Sequence, residues 1–361
     1  MNSKTKIYLF NPYPGIGGAD TTISRFIKSI NLNKYEVEYI TLNKNKIPFN
    51  RKIKKTQINS SSTFLSFFQL IKIVKKDKNK KKIFFSMQYF VNVWTIIFMK
   101  LILGIKTFTY EINHLNELKD QKNLSEFIKK NIILLLVKLL YKFSDIVAAN
   151  SKESGIELSN YINNKVLTIY NPCFEKIRLK RIKYKKNSKL KILNIARLTE
   201  QKDQLTILKA INISKIKSKI KFTIVGNGVL KNKLLYFIKK NKINCIIVDN
   251  ETNLKKYYSN NDLFVFSSVY EGLPTTMVEA ASYCMPIISS NFKTGSDEIL
   301  CSGKGGSIFK IKNYLKLSEL IYKFYINPLP FYKREFICRN NINKFSKKKS
   351  LKNFNTILEK F

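Results

Sequence analysis

At 361 residues the chain is long enough for two ordinary domain cores, and its 44% hydrophobic and 13% aromatic residues exclude a wholly disordered protein. Its formal net charge of +42 would suit a nucleic-acid binder, but only seven of the 66 basic residues are arginine, the side chain that reads bases and phosphates in a bidentate way. We therefore interpret most of the charge as a solvated lysine background, part of which can serve an anionic membrane or substrate.

The five cysteines form no CxxC pair, which favours a reducing compartment. Because the sequence begins with a short strand pattern, we expect no signal peptide. Two apolar stretches, 91–105 and 132–140, are interrupted by Lys100 and Lys138 and fall short of the ~20 residues that cross a bilayer. We expect a cytoplasmic protein in which these stretches are buried or membrane-facing helices, with peripheral attachment to the inner face of the membrane as an option.

Short β-rich runs alternate with helical runs along the first half of the chain. Strands are predicted at 7–10, 37–41, 82–86, 106–111, 145–150 and 166–170, and helices at 21–30, 64–75 and 124–141, among others. This βαβα order predicts a parallel sheet covered on both faces. The first domain is accordingly predicted to span residues 1–174.

A polar, lysine-rich stretch at 175–189 is predicted to be an interdomain linker, and the alternation restarts after it. Strands are predicted at 191–196, 221–226, 245–249, 263–268 and 286–290, with helices that begin at Gln204, Leu230 and Pro274. These elements predict a second α/β domain over 190–345. Two doubly wound, Rossmann-like domains of this kind can face one cleft, and an amphipathic helix within 346–361 is expected to pack back toward the first domain.

The densest cluster of chemically useful residues lies at 261–281, where a predicted strand ends in a polar turn before a helix. The carboxylates of Glu271 and Glu279 can accept hydrogen bonds from sugar and ribose hydroxyls. The amides of Gly272 and Leu273, at the start of the helix, suit a phosphate. The alternative is a helix-terminal charge with a solvated glutamate beside it.

A second cluster lies at 195–210, where Arg197 and Lys202 occupy a strand-to-helix loop. Two fixed cations at the carboxyl end of a strand can neutralise a diphosphate as it departs. Because the chain has 66 basic residues, a chance pair is the alternative.

A third cluster, NPYPGIGGAD at 11–20, follows the first predicted strand directly. Gly17 and Gly18 permit close approach of the backbone to a ligand, although the stretch is no complete GxGxxG and an ordinary glycine turn would look the same.

His114 is the only histidine, and it follows the strand predicted at 106–111. It can hydrogen-bond a sugar hydroxyl but cannot form a metal site with the distant cysteines. No DxD sequence occurs. We therefore expect no metal and no cofactor.

In this order the clusters resemble the retaining GT-B glycosyltransferases of family GT4, the group 1 glycosyltransferases. Glu271 and Glu279 resemble the family's E-x7-E element, whose first glutamate contacts the donor sugar and whose second contacts the ribose. The segment 194–203 resembles G-R-L-x-x-x-K, in which the arginine and lysine, here Arg197 and Lys202, hold the donor diphosphate. Ala196 departs from this pattern, since it stands where the family has glycine.

Three further segments extend the resemblance. Residues 222–234, which include Gly226, resemble the IVGDGPLRxxL stretch that shapes the nucleotide pocket. The PGIGGAD loop, with Gly17 and Gly18, resembles the loop that faces acceptor and phosphate, and His114 falls where the family carries a histidine near the donor sugar.

The resemblance implies a GT-B fold and a retaining, metal-independent transfer of a hexosyl unit. The expected donor is a UDP-sugar, and the expected acceptor is a growing surface polysaccharide or a lipid-linked saccharide. The residues expected to act on the reacting sugar and diphosphate are Glu271, His114, Arg197 and Lys202. A GT-B epimerase or hydrolase remains the main alternative. A basic nucleic-acid binder is a remote one, because the aromatics lie inside apolar runs.

Overall fold

The computed structural model describes residues 4–15, 18–42, 53–113, 115, 124–178, 188–249, 251, 253–292 and 294–361. It divides the chain into two compact units. Unit 1 comprises Met1–Pro172 together with Lys347–Phe361, and unit 2 comprises Cys173–Ser346. The chain therefore leaves unit 1, builds unit 2 and returns to unit 1.

Strands and helices alternate through both units. The strands are β1 (Thr5–Phe10), β2 (Tyr35–Leu42), β3 (Lys54–Ile58), β4 (Lys82–Met87), β5 (Lys106–Glu111), β6 (Ile146–Ala149), β7 (Leu167–Thr168), β8 (Leu190–Ile195), β9 (Ile220–Val225), β10 (Cys245–Val248), β11 (Leu263–Phe266), β12 (Ile287–Ser290) and β13 (Ser307–Phe309). The α-helices are α1 (Gly18–Ser29), α2 (Thr63–Lys76), α3 (Tyr89–Thr95), α4 (Leu124–Leu140), α5 (Lys152–Ile162), α6 (Gln204–Asn212), α7 (Lys231–Lys240), α8 (Lys255–Asn260), α9 (Thr275–Ser282), α10 (Ser296–Leu300), α11 (Tyr314–Ile326), α12 (Leu329–Asn341) and α13 (Lys347–Leu358). A π-helical segment, Ile96–Ile102, continues α3, and shorter 3₁₀ turns occupy Tyr141–Phe143, Lys217–Lys219 and Ile342–Phe345.

The described strands of unit 1 form a parallel sheet in the order β3-β2-β1-β4-β5-β6-β7. The chain moves outward from β1 to β3 and then returns to the other side of β1 with β4. Strand order thus reverses between β1 and β4, which is the place where open α/β sheets bind ligands at the carboxyl ends of their strands.

Helices cover both faces of this sheet. On one face α1 and α13 pack against the strands, and the rings of Phe26 and Phe354 stack with their centroids 4.3 Å apart. On the other face α2, α3 and the π-helical segment cover β1, β2 and β4, while α4 and α5 pack beyond α3. Local capping helps to define these helices: Ser62 and Ser151 accept hydrogen bonds from the amides of Leu65 and Ser154 at the starts of α2 and α5.

Unit 2 repeats the architecture with the strand order β10-β9-β8-β11-β12-β13, again in parallel. Order reverses here between β8 and β11. A continuous apolar core joins the strands to α6, α7 and α11, with Ile192, Phe222 and Phe324 among its fully buried members.

The prediction of two parallel α/β sheets is confirmed. Two strands were not predicted: β3 is a mostly exposed, lysine-containing edge strand, and β13 is only three residues long. The strand predicted at 166–170 is shorter, because only Leu167 and Thr168 pair with β6. Pro274 serves as the N-cap of α9, so the helix begins one residue later than predicted.

The segment predicted as a linker, 175–189, lies partly outside the described residues, since 179–187 are not described. At its beginning the chain is already part of unit 2. Cys173 donates a backbone hydrogen bond of 2.9 Å to the carbonyl of Phe345, and Phe174 forms a parallel bridge with Ser346. The chain therefore enters and leaves unit 2 side by side.

Every helix of the described chain is too short or too polar to be a membrane span.

Candidate active site

An ion pair stands at the switch point of the unit 2 sheet. Lys202 lies in the loop that follows β8 and Glu271 in the loop that follows β11, and the lysine ammonium donates a hydrogen bond to the Glu271 carboxylate. The two loops are neighbours because β8 and β11 are adjacent parallel strands. The side chains of Lys202 and Glu271 are only 12% and 9% exposed, so the charges are held largely out of water.

Hydrogen bonds between the two loops hold this pair in place. The hydroxyl of Ser267 donates to the carbonyl of Lys202 at 2.9 Å. The side chain of Gln201 donates to the carbonyl of Tyr270 at 2.8 Å, and the amide of Val269 donates back to the carbonyl of Gln201 at 2.8 Å. Lys202 is thus fixed before any ligand arrives, as electrostatic stabilisation of a transition state requires.

Arg197 lies in the same loop as Lys202, and its side chain is exposed. Its carbonyl accepts a hydrogen bond of 2.9 Å from the buried side chain of Gln204, the first residue of α6. The backbone of the arginine is therefore anchored, while its guanidinium faces solvent and can meet an anion.

Gly226, directly after β9, packs against the same loop. A Cβ atom at this position would lie 2.0 Å from the carbonyl oxygen of Ala196, so only glycine fits. Next to it, the amide of Leu198 donates to the carbonyl of Asn227 at 2.9 Å. The loops after β8 and β9 can therefore approach each other closely because residue 226 is glycine. Alanine at position 196 is compatible with this approach, since Gly226 packs against its backbone carbonyl.

Gly272 and Leu273, both buried, connect Glu271 to the start of α9. The hydroxyl of Thr294 donates to the carbonyl of Glu271, and a Cβ at Gly295 would lie 2.8 Å from the carbonyl oxygen of Gly272, so the loop after β12 closes on this turn. The N-cap of α9 is a proline that supplies no side-chain hydrogen bond to the first turn. This helix start therefore suits an anionic ligand.

Glu279 lies on α9 and is held by a residue that the sequence did not single out. The hydroxyl of Tyr258, on α8, donates to the Glu279 carboxylate at 2.9 Å, and its ring stacks on Tyr283 with centroids 5.1 Å apart. Burial, and next the nearby charge of Glu279, raise the pKa of Tyr258 well above its usual value. The phenol therefore stays protonated and remains a donor. No local pattern marks this tyrosine, because its partner is 21 residues away.

The predicted site residues of unit 1 are only partly described. Gly18 is the first residue of α1, and its carbonyl accepts a hydrogen bond of 2.9 Å from the hydroxyl of Thr22. Gly17 and His114 lie outside the described residues. Seven site residues lie in unit 2: Arg197, Lys202, Gly226, Glu271, Gly272, Leu273 and Glu279. The first six lie in loops that contact one another, and Glu279 lies on α9, the helix that follows Leu273.

A second residue that sequence reasoning missed is Glu111, a carboxylate at the end of β5, three residues before His114. Glu111 is 1% exposed and accepts hydrogen bonds from the side chain of Asn92 at 2.6 Å and from the hydroxyl of Tyr141. Burial and then the charge of Glu111 raise the pKa of Tyr141 well above its usual value. This buried network supports the strand end from which the chain continues to the histidine.

Across the described part of the chain, no three His, Cys, Asp or Glu side chains are grouped in a way that could hold a metal ion.

Comparison with known proteins shows which enzymes the chain resembles. Residues 175–348 match the family model described as "Glycosyl transferases group 1". An uncharacterized glycosyltransferase of Methanocaldococcus jannaschii is 29% identical over 294 residues, which cover 74% of this chain and 71% of that protein. The chain is a glycosyltransferase that resembles group 1.

Two further proteins resemble this glycosyltransferase over most of its length. One is the N-acetylgalactosamine-N,N'-diacetylbacillosaminyl-diphospho-undecaprenol 4-alpha-N-acetylgalactosaminyltransferase of Campylobacter jejuni, 25% identical over 85% of this chain and 87% of its own. The other is the crystal structure of Anabaena HepE in complex with UDP and glucose, with a TM-score of 0.77 and 13% identity over 99% of this chain and all (100%) of its own. At this identity the likeness to the second protein concerns the fold, which is the GT-B arrangement of two parallel-sheet α/β units.

The family match covers every predicted site residue of unit 2 in this glycosyltransferase, and it excludes Gly17, Gly18 and His114.

Proposed function

We propose that this glycosyltransferase transfers a hexosyl unit from a UDP-sugar, with retention of configuration and without a metal, to a lipid-linked saccharide or growing surface polysaccharide. The observation that carries the proposal is the buried Lys202–Glu271 pair, fixed at the switch point of the unit 2 sheet. Cleavage of a nucleotide-sugar places negative charge on the departing diphosphate, and a preorganised cation in a poorly hydrated position lowers the energy of that transition state.

Three features support a diphosphate site next to the pair. Lys202 is held rigidly by the two loops, Arg197 extends an exposed guanidinium from an anchored backbone, and α9 begins without a side-chain cap. A fixed lysine and arginine together can balance the charge that a divalent cation balances in metal-dependent transferases.

Glu279 is proposed to bind the ribose of the donor. A carboxylate can accept hydrogen bonds from the two adjacent ribose hydroxyls, and Tyr258 orients it for that role. Glu271 is proposed to bind the donor sugar. Because its charge is already matched by Lys202, positioning and charge stabilisation suit it better than covalent attack. His114 is assigned to the sugar, and Gly17 and Gly18 to the donor phosphate and acceptor, on family resemblance alone.

The choice of donor and acceptor rests on relatives. HepE was crystallised with UDP and glucose, and the Campylobacter enzyme is named for an undecaprenol-diphosphate-linked acceptor. By analogy we propose that this chain uses a UDP-sugar as donor and an acceptor held at the cytoplasmic face of a membrane. A net charge of +42 supports a site of action at an anionic membrane surface, where each nearby lysine contributes ~1 kcal/mol of binding free energy.

A donor screen tests the proposal. The purified chain is incubated with UDP-, GDP-, ADP- and dTDP-sugars, with and without a saccharide acceptor, and released nucleoside diphosphate is measured together with the anomeric configuration of the product. We expect release from a UDP-sugar that depends on acceptor, is unchanged by EDTA, and yields an α-linked product from an α-linked donor. Release or epimerisation without acceptor would favour the hydrolase or epimerase alternative, and a β-linked product would refute retention.

A further inference from the structure

Helix α4 has two apolar faces, only one of which is packed against the protein. Its inner face places Ile133 and Val137 in the core formed with α3 and α5. The outer face, on the opposite side of the helix, would be expected to be polar in a surface helix.

Instead, the outer face carries six exposed large apolar side chains. These are Leu124, Phe127, Ile128, Ile132, Leu135 and Leu139. At about 100° per residue they occupy an arc of about 140°, opposite the buried residues. Leu124 is 74% exposed and Leu135 56% exposed, so the stripe is presented to solvent along the whole helix.

The apolar surface continues onto α3 and α2. Phe64, Phe68 and Phe90 are exposed, and the rings of Phe64 and Phe90 pack against Trp94 with centroid separations of 4.7 and 6.2 Å. Trp94 packs against both the core beneath α2 and the core beneath α4, so it connects the exposed phenylalanines of α2 and α3 with the apolar stripe of α4. We define the docking face as Leu124, Phe127, Ile128, Ile132, Leu135 and Leu139 together with Phe64, Phe68 and Phe90.

The opposite side of unit 1 provides an internal comparison. None of the exposed large apolar residues lies on α1 or α13, both of which are fully described. The outward positions of α13 carry Lys348, Lys349 and Lys352 instead. Within unit 1, the layer formed by α1 and α13 therefore lacks the exposed apolar stripe that α4 carries.

Lysines lie beside and within the docking face. On α4, Lys129 is exposed about 60° beyond one edge of the apolar arc, and Asn131 and Lys138 are exposed inside the arc toward its other edge. On α2, Lys72, Lys75 and Lys76 are exposed. An apolar stripe accompanied by cationic side chains matches the boundary of a bilayer, where acyl chains lie beneath anionic headgroups. A second copy of the chain is a poor fit, because two such faces would bring lysines together in a protein of net charge +42.

We propose that the docking face inserts into the surface of an anionic phospholipid bilayer, with α4 lying along the membrane. The inference deepens the proposed function, on which it rests, by naming the surface that brings the enzyme to a lipid-linked acceptor.

Vesicle sedimentation tests the proposal with matched variants. L135Q/L139Q removes two exposed leucines from the docking face, and L315Q/L329Q removes two leucines of unit 2 that are 64% and 62% exposed. With phosphatidylglycerol–phosphatidylcholine vesicles at low salt, we expect the first pair to weaken the partition coefficient by about tenfold or more and the second to leave it within about twofold.

The single tryptophan gives a second readout. Trp94 lies within the same surface, so its fluorescence should shift to the blue with vesicles and be quenched by lipids brominated on their acyl chains. Failure of the wild-type chain to sediment, equal binding by both double variants, or an unquenched Trp94 would overturn the proposal. A wild-type dimer that L135Q/L139Q converts to a monomer would also overturn it and assign the face to self-association.

Turnover separates this inference from the proposed function. L135Q/L139Q should transfer sugar to a water-soluble acceptor at the wild-type rate and lose activity only on a vesicle-bound acceptor. A protein that binds vesicles as described but transfers no sugar from any donor would refute the proposed function and leave the membrane face intact.

Discussion

Replacement of Lys202 by methionine is the sharpest test of the candidate site, because it keeps an unbranched side chain of similar size and removes the ammonium group with its charge and its hydrogen bond to Glu271. Glu271 would remain 9% exposed without its cation. Breaking a buried pair in this way costs ~3–5 kcal/mol of unfolding free energy. If the cation also stabilises the departing diphosphate, kcat should fall by a factor of ~10²–10³.

The double variant K202M/E271Q separates these two effects. Replacing both charges by neutral groups removes the unpaired carboxylate, so most of the lost stability should return. Activity should not return, because neither the cation nor the sugar-binding carboxylate is present. Urea unfolding measures the first quantity and release of UDP from the active donor measures the second.

A solvent-exposed ion pair supplies the matched control. Lys323 and Glu319 on α11 lie 2.6 Å apart with side chains 60% and 43% exposed, and K323M should leave both unfolding and turnover unchanged. Activity of K202M within about twofold of wild type would exclude a catalytic role for the Lys202 cation. Recovery of activity in step with stability in the double variant would show that the pair is structural only.

Three further variants test contacts that fix the site and the fold. Y258F removes the hydrogen bond to Glu279 and should raise KM for the donor about tenfold with little change in kcat, as measured by initial rates at varied donor concentration. G226A forces a Cβ against Ala196 and should lower the unfolding free energy of unit 2 by about 1–3 kcal/mol in a urea titration. F354A removes a buried ring from the core of unit 1 and should lower its unfolding free energy by ~3–5 kcal/mol.

Each of these variants has a control of the same chemistry. Y257F alters the neighbouring tyrosine, whose hydroxyl contacts Glu251 at 3.2 Å, and should keep the wild-type KM; equal KM values for the two tyrosine variants would contradict the role of Tyr258. In G155A the new Cβ would lie 3.4 Å from the hydroxyl oxygen of Thr168, an ordinary contact, so the variant should retain or gain stability. A loss of stability as large as that of G226A would show that the short Cβ contact does not cause the effect of G226A. F336A removes a ring that is 52% exposed and should lower the unfolding free energy by under about 1 kcal/mol. If F354A lowered the unfolding free energy as little as F336A does, α13 would not be part of the core.

The two sheets could be predicted because most of their strands are apolar runs bounded by polar turns. β3 was not predicted because its sequence, KKTQI, is not an apolar run and buries only its last residue, Ile58. β13 was not predicted because three residues are too few to show a hydrophobic pattern. In both cases the pairing strand, and not the local sequence, determines the structure.

The residues of the candidate site could be listed from the sequence, but their partners could not. Lys202 and Glu271 were assigned to separate tasks, and their direct contact joins positions 69 apart. The support of Glu279 by Tyr258 and the fit of Gly226 against Ala196 likewise depend on which loops become neighbours. Such contacts follow from strand order, which a single sequence does not reveal.

The return of the chain to unit 1 has a consequence for synthesis on the ribosome. Phe354 of α13 completes the stack with Phe26 and also packs against Phe85 and Phe108, yet it is made only after all of unit 2. Because translation adds ~5–20 residues per second, the rings of Phe26, Phe85 and Phe108 would remain without Phe354 for on the order of ten seconds or longer. Chaperones that shield apolar surface should therefore engage the emerging polypeptide during that interval and release it once α13 leaves the exit tunnel.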